Sequence, residues 1–242
     1  MRSVLISIIG FSLMQALMVG CHDTDNAEGA SNLTFSESSG LRSFIFPTDS
    51  VQPYIYAFSD IHRPVDEKFF RIYEMGENDT NKMLVERYNR NFQITEGYTF
   101  AVEDGFAVVD HMVVDGNGLK RKAHLTEREW FVLDTSMQVS FVSDFPAHLD
   151  STLVVYKSNK HFERYEQEYD VLGDTVPAIV VRDSITFSLV HPTRKKGSVK
   201  SVVTNRVYAQ NYGLVAWYDL NDKVHYKLKK ILSNEWWETF AQ

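Results

Sequence analysis

Histidines near carboxylates are the residues of this chain that could carry out acid–base chemistry. Asp60-Ile61-His62 puts an imidazole two residues from a carboxylate, so that one group could act as a base while the other orients it. The alternative is a polar turn before Pro64. His161 lies near Glu163 and Glu166, and the three would share a face only on a helix. A solvated charged face explains this second group equally well.

A second possible site depends on the register of a hairpin around Asp115-Gly116-Asn117-Gly118. If Asn117-Gly118 forms a type I′ turn, His111 and His124 face each other on the wet side, with Cβ atoms about 5 Å apart. This candidate pair could hold a divalent metal if carboxylates or water completed the shell. A turn at Gly116-Asn117 is the alternative, and a slip of one residue moves every side chain to the other face. Because metal sites usually need three or four ligands, the sequence predicts neither a metal nor another cofactor.

No motif of a common catalytic class is present. The chain contains no Gly-x-Ser-x-Gly elbow, no glycine-rich phosphate loop and no His-Glu-x-x-His helix. His148 and His191 lie near prolines in expected loops. The basic run Arg194-Lys195-Lys196-Gly197 has no interleaved aromatic residues and is expected to be a solvated hairpin tip. The sequence therefore predicts no catalytic residue.

The single cysteine, Cys21, ends an apolar run that follows Arg2 and is interrupted mainly by Ser7, Ser12 and Gln15. Met18-Val19-Gly20-Cys21 resembles the lipobox of bacterial lipoproteins, although Met18 and Val19 depart from the usual leucine and small residue. The resemblance implies that residues 1–20 are a signal peptide and that Cys21 receives a palmitate-type diacyl anchor. The alternatives are an ordinary secretory signal, or a membrane-spanning helix for which the run is short.

Lipidation would use up the only thiol and leave a cysteine-free domain suited to an oxidising compartment. Stable anchoring needs more than one acyl chain, which a diacyl group provides. Residues 21–43 are mostly small, polar or acidic and are expected to form a flexible tether. Their acidic start is similar to the sorting tails of surface lipoproteins in the Bacteroidetes group. This implies a lipid-anchored protein of the cell envelope, in the outer membrane.

Short Asp-Ser/Thr motifs resemble the O-glycosylation motif of exported Bacteroidetes proteins. Such sequences also arise by chance, because Asp and Ser are frequent in turns. They occur at Asp49-Ser50-Val51, Asp150-Ser151-Thr152, Asp174-Thr175-Val176 and Asp183-Ser184-Ile185.

The charge balance limits the partners of the domain. The formal net charge is −7, and loss of the signal peptide would remove one further cation, Arg2. Nucleic-acid binding requires a basic patch or stripe, so we expect no nucleic-acid partner. The chain carries 16 Phe, 12 Tyr and 4 Trp, which are enough to build a core without disulfides.

Strand patterns dominate residues 44–242, which we expect to form a single β-rich domain. Tyr54-Ile55-Tyr56-Ala57-Phe58 alternates as a strand on a core face does, and similar aromatic or β-branched runs follow between turn residues. The prediction is a curved antiparallel sheet or open β-barrel or sandwich, with little helix outside the signal peptide. Residues 161–169 could be a short helix or a polar strand. Trp236 and Trp237 are expected to close one end of the sheet, the alternative being a surface for a partner or glycan.

The run Val207-Tyr208-Ala209-Gln210-Asn211-Tyr212-Gly213-Leu214-Val215, followed by Tyr226-Lys227-Leu228, resembles the closing hairpin of β-rich envelope proteins. Several of those are lipoproteins with a curved antiparallel sheet. The resemblance implies a fold and carries no functional residue.

Two functions remain open. The favoured one is a non-enzymatic binding or structural role in the envelope, with a partner protein or an apolar ligand. The alternative is a hydrolase that acts on glycan or peptide polymers of the envelope. An apolar cavity of several hundred Å³ would favour an apolar ligand, whereas acids and histidines converging in a cleft would favour the hydrolase.

Overall fold

The computed structural model describes residues 41–46, 53–77, 80–102, 105–147, 152–191, 193 and 197–240. The predicted signal peptide, the lipidation site Cys21 and most of the predicted tether lie outside these residues, as do His148 and the basic run 194–196. Two of the four glycosylation-like motifs, at 49–51 and 150–152, also extend outside them. Predictions that concern these segments stay predictions.

Thirteen β-strands, one short 3₁₀ turn and one α-helix are present in the described part of the chain. The strands are Tyr54–Asp60 (β1), Glu67–Glu77 (β2), Thr80–Asn89 (β3), Ile94–Ala101 (β4), Ala107–Val114 (β5), Lys120–Lys122 (β6), His124–Arg128 (β7), Gln138–Pro146 (β8), Leu153–Val171 (β9), Asp174–Val190 (β10), Ser198–Ala209 (β11), Gly213–Asp219 (β12) and His225–Leu232 (β13). The 3₁₀ turn is Arg42–Phe44 and the helix is Asn234–Phe240 (α1). The prediction of a mainly β domain with little helix is confirmed.

The strands form one antiparallel sheet that curls until it is nearly a closed barrel. Strands that follow each other in the chain pair with each other, except β6 and β7, and β1 also pairs with β13. The remaining seam lies between β6, which pairs with β5, and β7, which pairs with β8. Only Ala123 separates β6 from β7, and its backbone N–H donates to the carbonyl of His111 at 2.8 Å. The barrel is therefore built from pairings between successive strands, together with the β1–β13 pairing that joins the first and last strands of the described chain.

Side chains alternate between the barrel interior and the outer face, as the pleat requires. Tyr56 and Phe58 belong to the main buried cluster, whereas Ile55 and Ala57 belong to a second cluster outside. The main cluster also takes in the segments before β1 and after β7. Phe46 and Phe131 meet edge to face at 6.4 Å between ring centroids. These segments fill one end of the barrel, which we call the closed end.

The folded domain begins earlier than residue 44, because the side chain of Leu41 is already buried in the core. Residues 41–43, assigned to the tether from the sequence, thus belong to the domain. The segment passes close to the start of β12. A Cβ atom on Gly213 would lie 2.8 Å from a ring carbon of Phe46, and Gly213 has φ +75°. Glycine is required there, both for the backbone conformation and for the close approach.

The second aromatic cluster lies on the outer face, where α1 packs. Trp237 is 7% exposed and contacts the rings of Tyr88 at 4.7 Å and Phe69 at 5.8 Å between centroids. The prediction that Trp236 and Trp237 close an end of the sheet is therefore wrong. The helix instead covers the outward-facing apolar residues of β1 and β2.

The hairpin between β5 and β6 differs from both predicted turns. The observed pairs are Met112–Lys122, Val113–Arg121 and Val114–Lys120, so the loop has three residues, 116–118. It ends with Gly118 at φ +78°, a common three-residue arrangement. The carboxylate of Asp115 accepts hydrogen bonds from the N–H groups of Asn117 and Leu119. This capping favours the longer loop over a two-residue turn.

Candidate functional site

A cleft of about 430 Å³ opens at the end of the barrel opposite Leu41–Phe46, which we call the open end. Its walls come from β2, β3, β4, β11, β12 and β13 and from the loop after β1. The lining residues are Arg63, Lys68, Phe70, Arg87, Tyr88, Asn89, Thr95, Glu96, Arg206, Leu214, Trp217, Val224 and Tyr226. The cleft thus combines cations with aromatic rings, so it is not an apolar cavity of the kind that would favour an apolar ligand.

Three stacked rings form one wall of the cleft. Trp217 stacks on Tyr226 at 4.7 Å and 15°, and on Phe70 at 5.6 Å and 16°. A cation lies over each outer ring: Lys68 Nζ is 5.1 Å from the centroid of Tyr226, and Arg87 Cζ is 5.0 Å from that of Phe70. Aromatic faces attract cations and restrain long side chains. The stack therefore holds two positive charges in fixed positions at the cleft.

Strand register explains how these side chains converge. Trp217 lies directly opposite Arg206 on one side and Tyr226 on the other. On the far wall Phe70 lies opposite Arg87, which in turn lies opposite Glu96. Directly paired residues share a face, so both rows point inward. Closure of the sheet through β13 and β1 brings the two rows together.

Arg87 and Glu96 form an ion pair of 2.7 Å at the cleft, and Tyr98 donates a hydrogen bond to the same carboxylate. Behind them, Nε2 of the buried His111 lies 3.5 Å from Glu96 Oε1, and its Nδ1 lies 3.0 Å from Ser143 Oγ. Burial opposes ionisation of Glu96, but the charge of Arg87 and the contacts with His111 and Tyr98 lower its pKa to about 2. Glu96 is therefore a carboxylate at any physiological pH.

A second charged group lies deeper in the interior. Arg206 Nε is 2.7 Å from Asp183 Oδ2, and Ser158 donates to the other oxygen of Asp183 at 2.6 Å. The Nζ of Lys160 lies 3.6 Å over the ring of Trp130 and has no hydrogen-bond partner. Burial lowers the pKa of Lys160 to about 7, although the charge of Asp183 acts in the opposite direction. Three cations, Lys160 and the two arginines, thus meet two carboxylates inside the barrel.

Ser143, His111 and Glu96 stand in an order that resembles an acid–base–nucleophile array. Ser143 and His111 are 0% and 1% exposed, however, and Tyr98 stacks on the imidazole at 4.4 Å. A nucleophile must reach its substrate to react. These contacts therefore hold the inner wall of the barrel together and position Glu96, which alone of the three lines the cleft.

The candidate metal pair is not formed. His111 is buried because Val109 is an extra residue in β5, opposite the register shift at Thr99–Phe100, and this bulge turns the imidazole inward. His124 lies on β7, where its Nδ1 is 3.0 Å from Asp144. Within the described ranges, no group of three or more His, Cys, Asp or Glu side chains could hold a metal ion.

The other sequence candidates also lie apart from the cleft or serve the turns. The carboxylate of Asp60 accepts hydrogen bonds from the backbone N–H of His62 and from the side chain of Arg63. These contacts form the polar turn, and Asp60 does not orient the imidazole of His62 as a general base. Residues 161–169 belong to β9, so the segment is a strand. Asp183, the start of one glycosylation-like motif, points into the core. Among residues that the structure describes, no helix is long and apolar enough to cross a bilayer.

Sequence reasoning missed the cations of the cleft. Arg206 follows the strand-like run Val202-Val203-Thr204-Asn205, and Asp183 follows Val180-Val181-Arg182. A charge at a core-facing position of an apolar strand indicates a buried ion pair or a site. This signal is present in the sequence, but only the pairing of β10 with β11 shows that Asp183 and Arg206 are partners.

Comparisons with known proteins identify two solved structures of related shape. One is a candidate lipoprotein from Parabacteroides distasonis, with a TM-score of 0.41, 10% identity, and coverage of 77% of this chain and 97% of that chain. The other is a candidate exported protein with a YmcC-like fold from Bacteroides fragilis, with a TM-score of 0.36, 9% identity, and coverage of 78% and 99%. No family model and no curated protein matches the chain.

Proposed function

We propose that this protein is a non-enzymatic binding protein of the cell envelope, lipid-anchored through Cys21, whose cleft takes a negatively charged ligand. One observation carries the proposal. Four of the five charged side chains that line the cleft are cations, in a chain whose net charge is −7. The lining of the cleft therefore has more cations than acids although the protein as a whole is acidic, and this surplus favours an anionic ligand.

The position of the carboxylates strengthens the argument. Asp60 and Asp183, which pair with Arg63 and Arg206, are both 0% exposed and do not line the cleft. These two acids compensate Arg63 and Arg206 without lining the cleft, whereas Glu96, the partner of Arg87, does line it and the partly exposed Asp66 lies 3.6 Å from Arg63. A guanidinium can form two parallel hydrogen bonds with a carboxylate or phosphate.

An apolar ligand fits this cleft less well than an anion. It would remove Lys68, whose Nζ contacts the ring of Tyr226, from water without supplying an acceptor, and burying an unpaired charge is costly. The aromatic wall adds contact area for a flat or apolar part of the ligand. The chain enters the domain at the closed end, since Leu41 is buried there, so a tether to Cys21 would leave the open end accessible.

The hydrolase alternative has less support. Its requirement was a cleft in which a histidine and an acid converge, and Glu96 with His111 comes nearest. A carboxyl group with a pKa of about 2 is a poor general acid or base near neutral pH. Ser143 is fully buried, and the carboxylate of Glu96 is already bound by Arg87 and Tyr98.

Calorimetric titration of the full-length protein with glycerol phosphate tests the proposal, with uncharged glycerol as the matched probe. Glycerol phosphate should bind, and its affinity should fall as salt screens the cations. Lys68→Gln removes a cation from the cleft and should weaken binding by about tenfold, the effect of one charged hydrogen bond. Lys229→Gln, an exposed lysine of β13 outside the cleft, should leave binding unchanged. Equal binding of glycerol, or equal effects of the two substitutions, would contradict the proposal.

A further inference from the structure

We infer that the ligand is a phosphate-bearing lipid, with its headgroup in the cleft and one acyl chain along the inner face of a sheet that projects beyond the cleft. This inference rests on the proposed function, because it assigns the anion to a lipid headgroup. It adds a second contact surface, which the cleft alone does not require.

Strands β10 and β11 extend well past the rim of the barrel on the β12 side. Pairing of β11 with β12 ends at Thr204–Asp219, but pairing of β10 with β11 continues to Leu189–Ser198. Six residues of β11, 198–203, therefore have no partner from β12. We call this part of β10 and β11, residues 184–190 and 198–203, the projecting sheet.

The inner face of the projecting sheet carries exposed apolar side chains, with Lys200 opposite Phe187 and Ser198 opposite Leu189. Phe187 and Leu189 are 40% and 44% exposed. They lie on the same face of β10 as the buried Asp183 and Ile185, because every second residue of a strand points to the same side. The ring of Phe187 lies 5.1 Å from that of Tyr156, which contacts Phe141 in the interior at 5.8 Å. This apolar face thus continues from the core of the barrel and is open to solvent beyond the rim.

Cleft and projecting sheet join along β11. Arg206 lines the cleft, and alternation places Thr204 and Val202 on the same inward face, nearer the tip. Ser198 lies eight positions before Arg206, which is roughly 25 Å of strand. An acyl chain spans about half of a hydrocarbon core that is roughly 30 Å thick. The face is therefore long enough for one chain whose headgroup occupies the cleft.

Two features favour a lipid over a small soluble anion or an apolar partner. A soluble anion would leave Phe187 and Leu189 in water, and a purely apolar partner would leave the charge of Lys68 without an acceptor. Arginine matches phosphate oxygens bidentately, so Arg87 and Arg206 suit a phosphate ester.

Photo-crosslinking tests the inference on the full-length protein. The probe is palmitoyl lysophosphatidate with a diazirine near the end of its chain. We expect crosslinks to map to the projecting sheet, and affinity to rise with chain length over glycerol phosphate, which lacks a chain. Phe187→Ser should weaken binding of the lipid about tenfold, the effect of losing one buried aromatic contact, while binding of glycerol phosphate stays unchanged.

The matched control is Val199→Ser, since Val199 is 66% exposed but lies on the opposite face of β11. It should not alter lipid binding. If glycerol phosphate and the lipid bind equally well, or if crosslinks fall outside residues 184–203, the inference is wrong and the anion site stands. If palmitate binds as tightly as the phosphate lipid, the headgroup assignment is wrong. If neither glycerol phosphate nor the lipid binds, both proposals fail.

Discussion

The closed and open ends of the barrel are both rich in aromatic residues but use them differently. At the closed end Phe46, Phe106 and Phe131 meet edge to face and fill space. At the open end Trp217 and its two neighbours stack nearly parallel, with cations over the outer rings. Edge-to-face packing interlocks rings in a core. A stack with a cation over each outer ring instead holds positive charges in fixed positions beside the cleft.

This difference indicates where stability and function lie. Apolar packing at the closed end can be optimised for stability alone, because nothing there needs to remain accessible. Buried or half-buried charges at the open end contribute little net stability and are often replaceable by apolar residues without loss. Their presence in Arg87, Glu96, Asp183 and Arg206 is therefore better explained by binding. Substitutions at the two ends should accordingly separate the free energy of unfolding from ligand affinity.

The largest loss of stability is expected at the closed end. Phe131→Ala removes a buried ring that contacts four others and should lower the free energy of unfolding by about 3–5 kcal/mol. Urea denaturation measures this change, and Phe240→Ala is the control, since that ring is 57% exposed. Glycerol phosphate affinity should be unchanged under native conditions. A small stability loss, or a loss of binding in a folded variant, would remove the distinction between the ends.

A slightly smaller loss is expected at the buried ion pair beneath the cleft of the open end. Asp183→Asn leaves Arg206 buried without its counter-charge and should lower the free energy of unfolding by about 3 kcal/mol. Asp110→Asn is the control, because its partner Lys122 is largely exposed and surface pairs contribute about 0–1 kcal/mol. Denaturation midpoints of the two variants can be compared directly. Equal midpoints would mean that Arg206 does not depend on the buried acid.

The sequence predicted the strands better than the site because the two depend on different information. Alternation in Tyr54–Phe58 is local, and β1 is where it was expected. The position of His111 was missed because the bulge at Val109 and the three-residue loop at 116–118 leave no clear pattern in composition. The cleft unites side chains of β2 and β12, which are far apart in the chain. Only the pairing of β1 with β13 brings them together, and a single sequence does not reveal that pairing.

Lys160 allows the opposite test, because its replacement by an apolar residue should increase the stability of the protein. Its folded-state pKa of about 7 lies below the ordinary value of 10.5. Unfolding therefore takes up a proton between these values, and wild-type stability should rise as the pH increases from about 7 to 10.5. Lys160→Met should abolish that rise and stabilise the protein by about 2 kcal/mol at pH 7, as when a buried charge is replaced by an apolar group.

Denaturant titrations at several pH values measure the effect of Lys160→Met. Lys157→Met is the control because Lys157 is an exposed lysine on the same strand, and it should keep the wild-type pH dependence. If the Lys160 variant were less stable than the wild type at every pH, the ammonium would have to stabilise the interior. The ring of Trp130 and the carboxylate of Asp183 would then outweigh the burial of the charge.

The smallest effect on stability is expected at Lys68, and it completes the separation of the two ends. No carboxylate among the described residues lies within salt-bridge distance of its Nζ, which contacts the ring of Tyr226. A partly exposed cation–π contact contributes about 0.5–1 kcal/mol, so Lys68→Gln should lower the free energy of unfolding by less than 1 kcal/mol. Its glycerol phosphate affinity should nevertheless fall about tenfold. Phe131→Ala should show the reverse pattern. If Lys68→Gln instead destabilised the fold as much as it weakened binding, the open end would be a structural element like the closed one, and its cations would need no ligand to explain them.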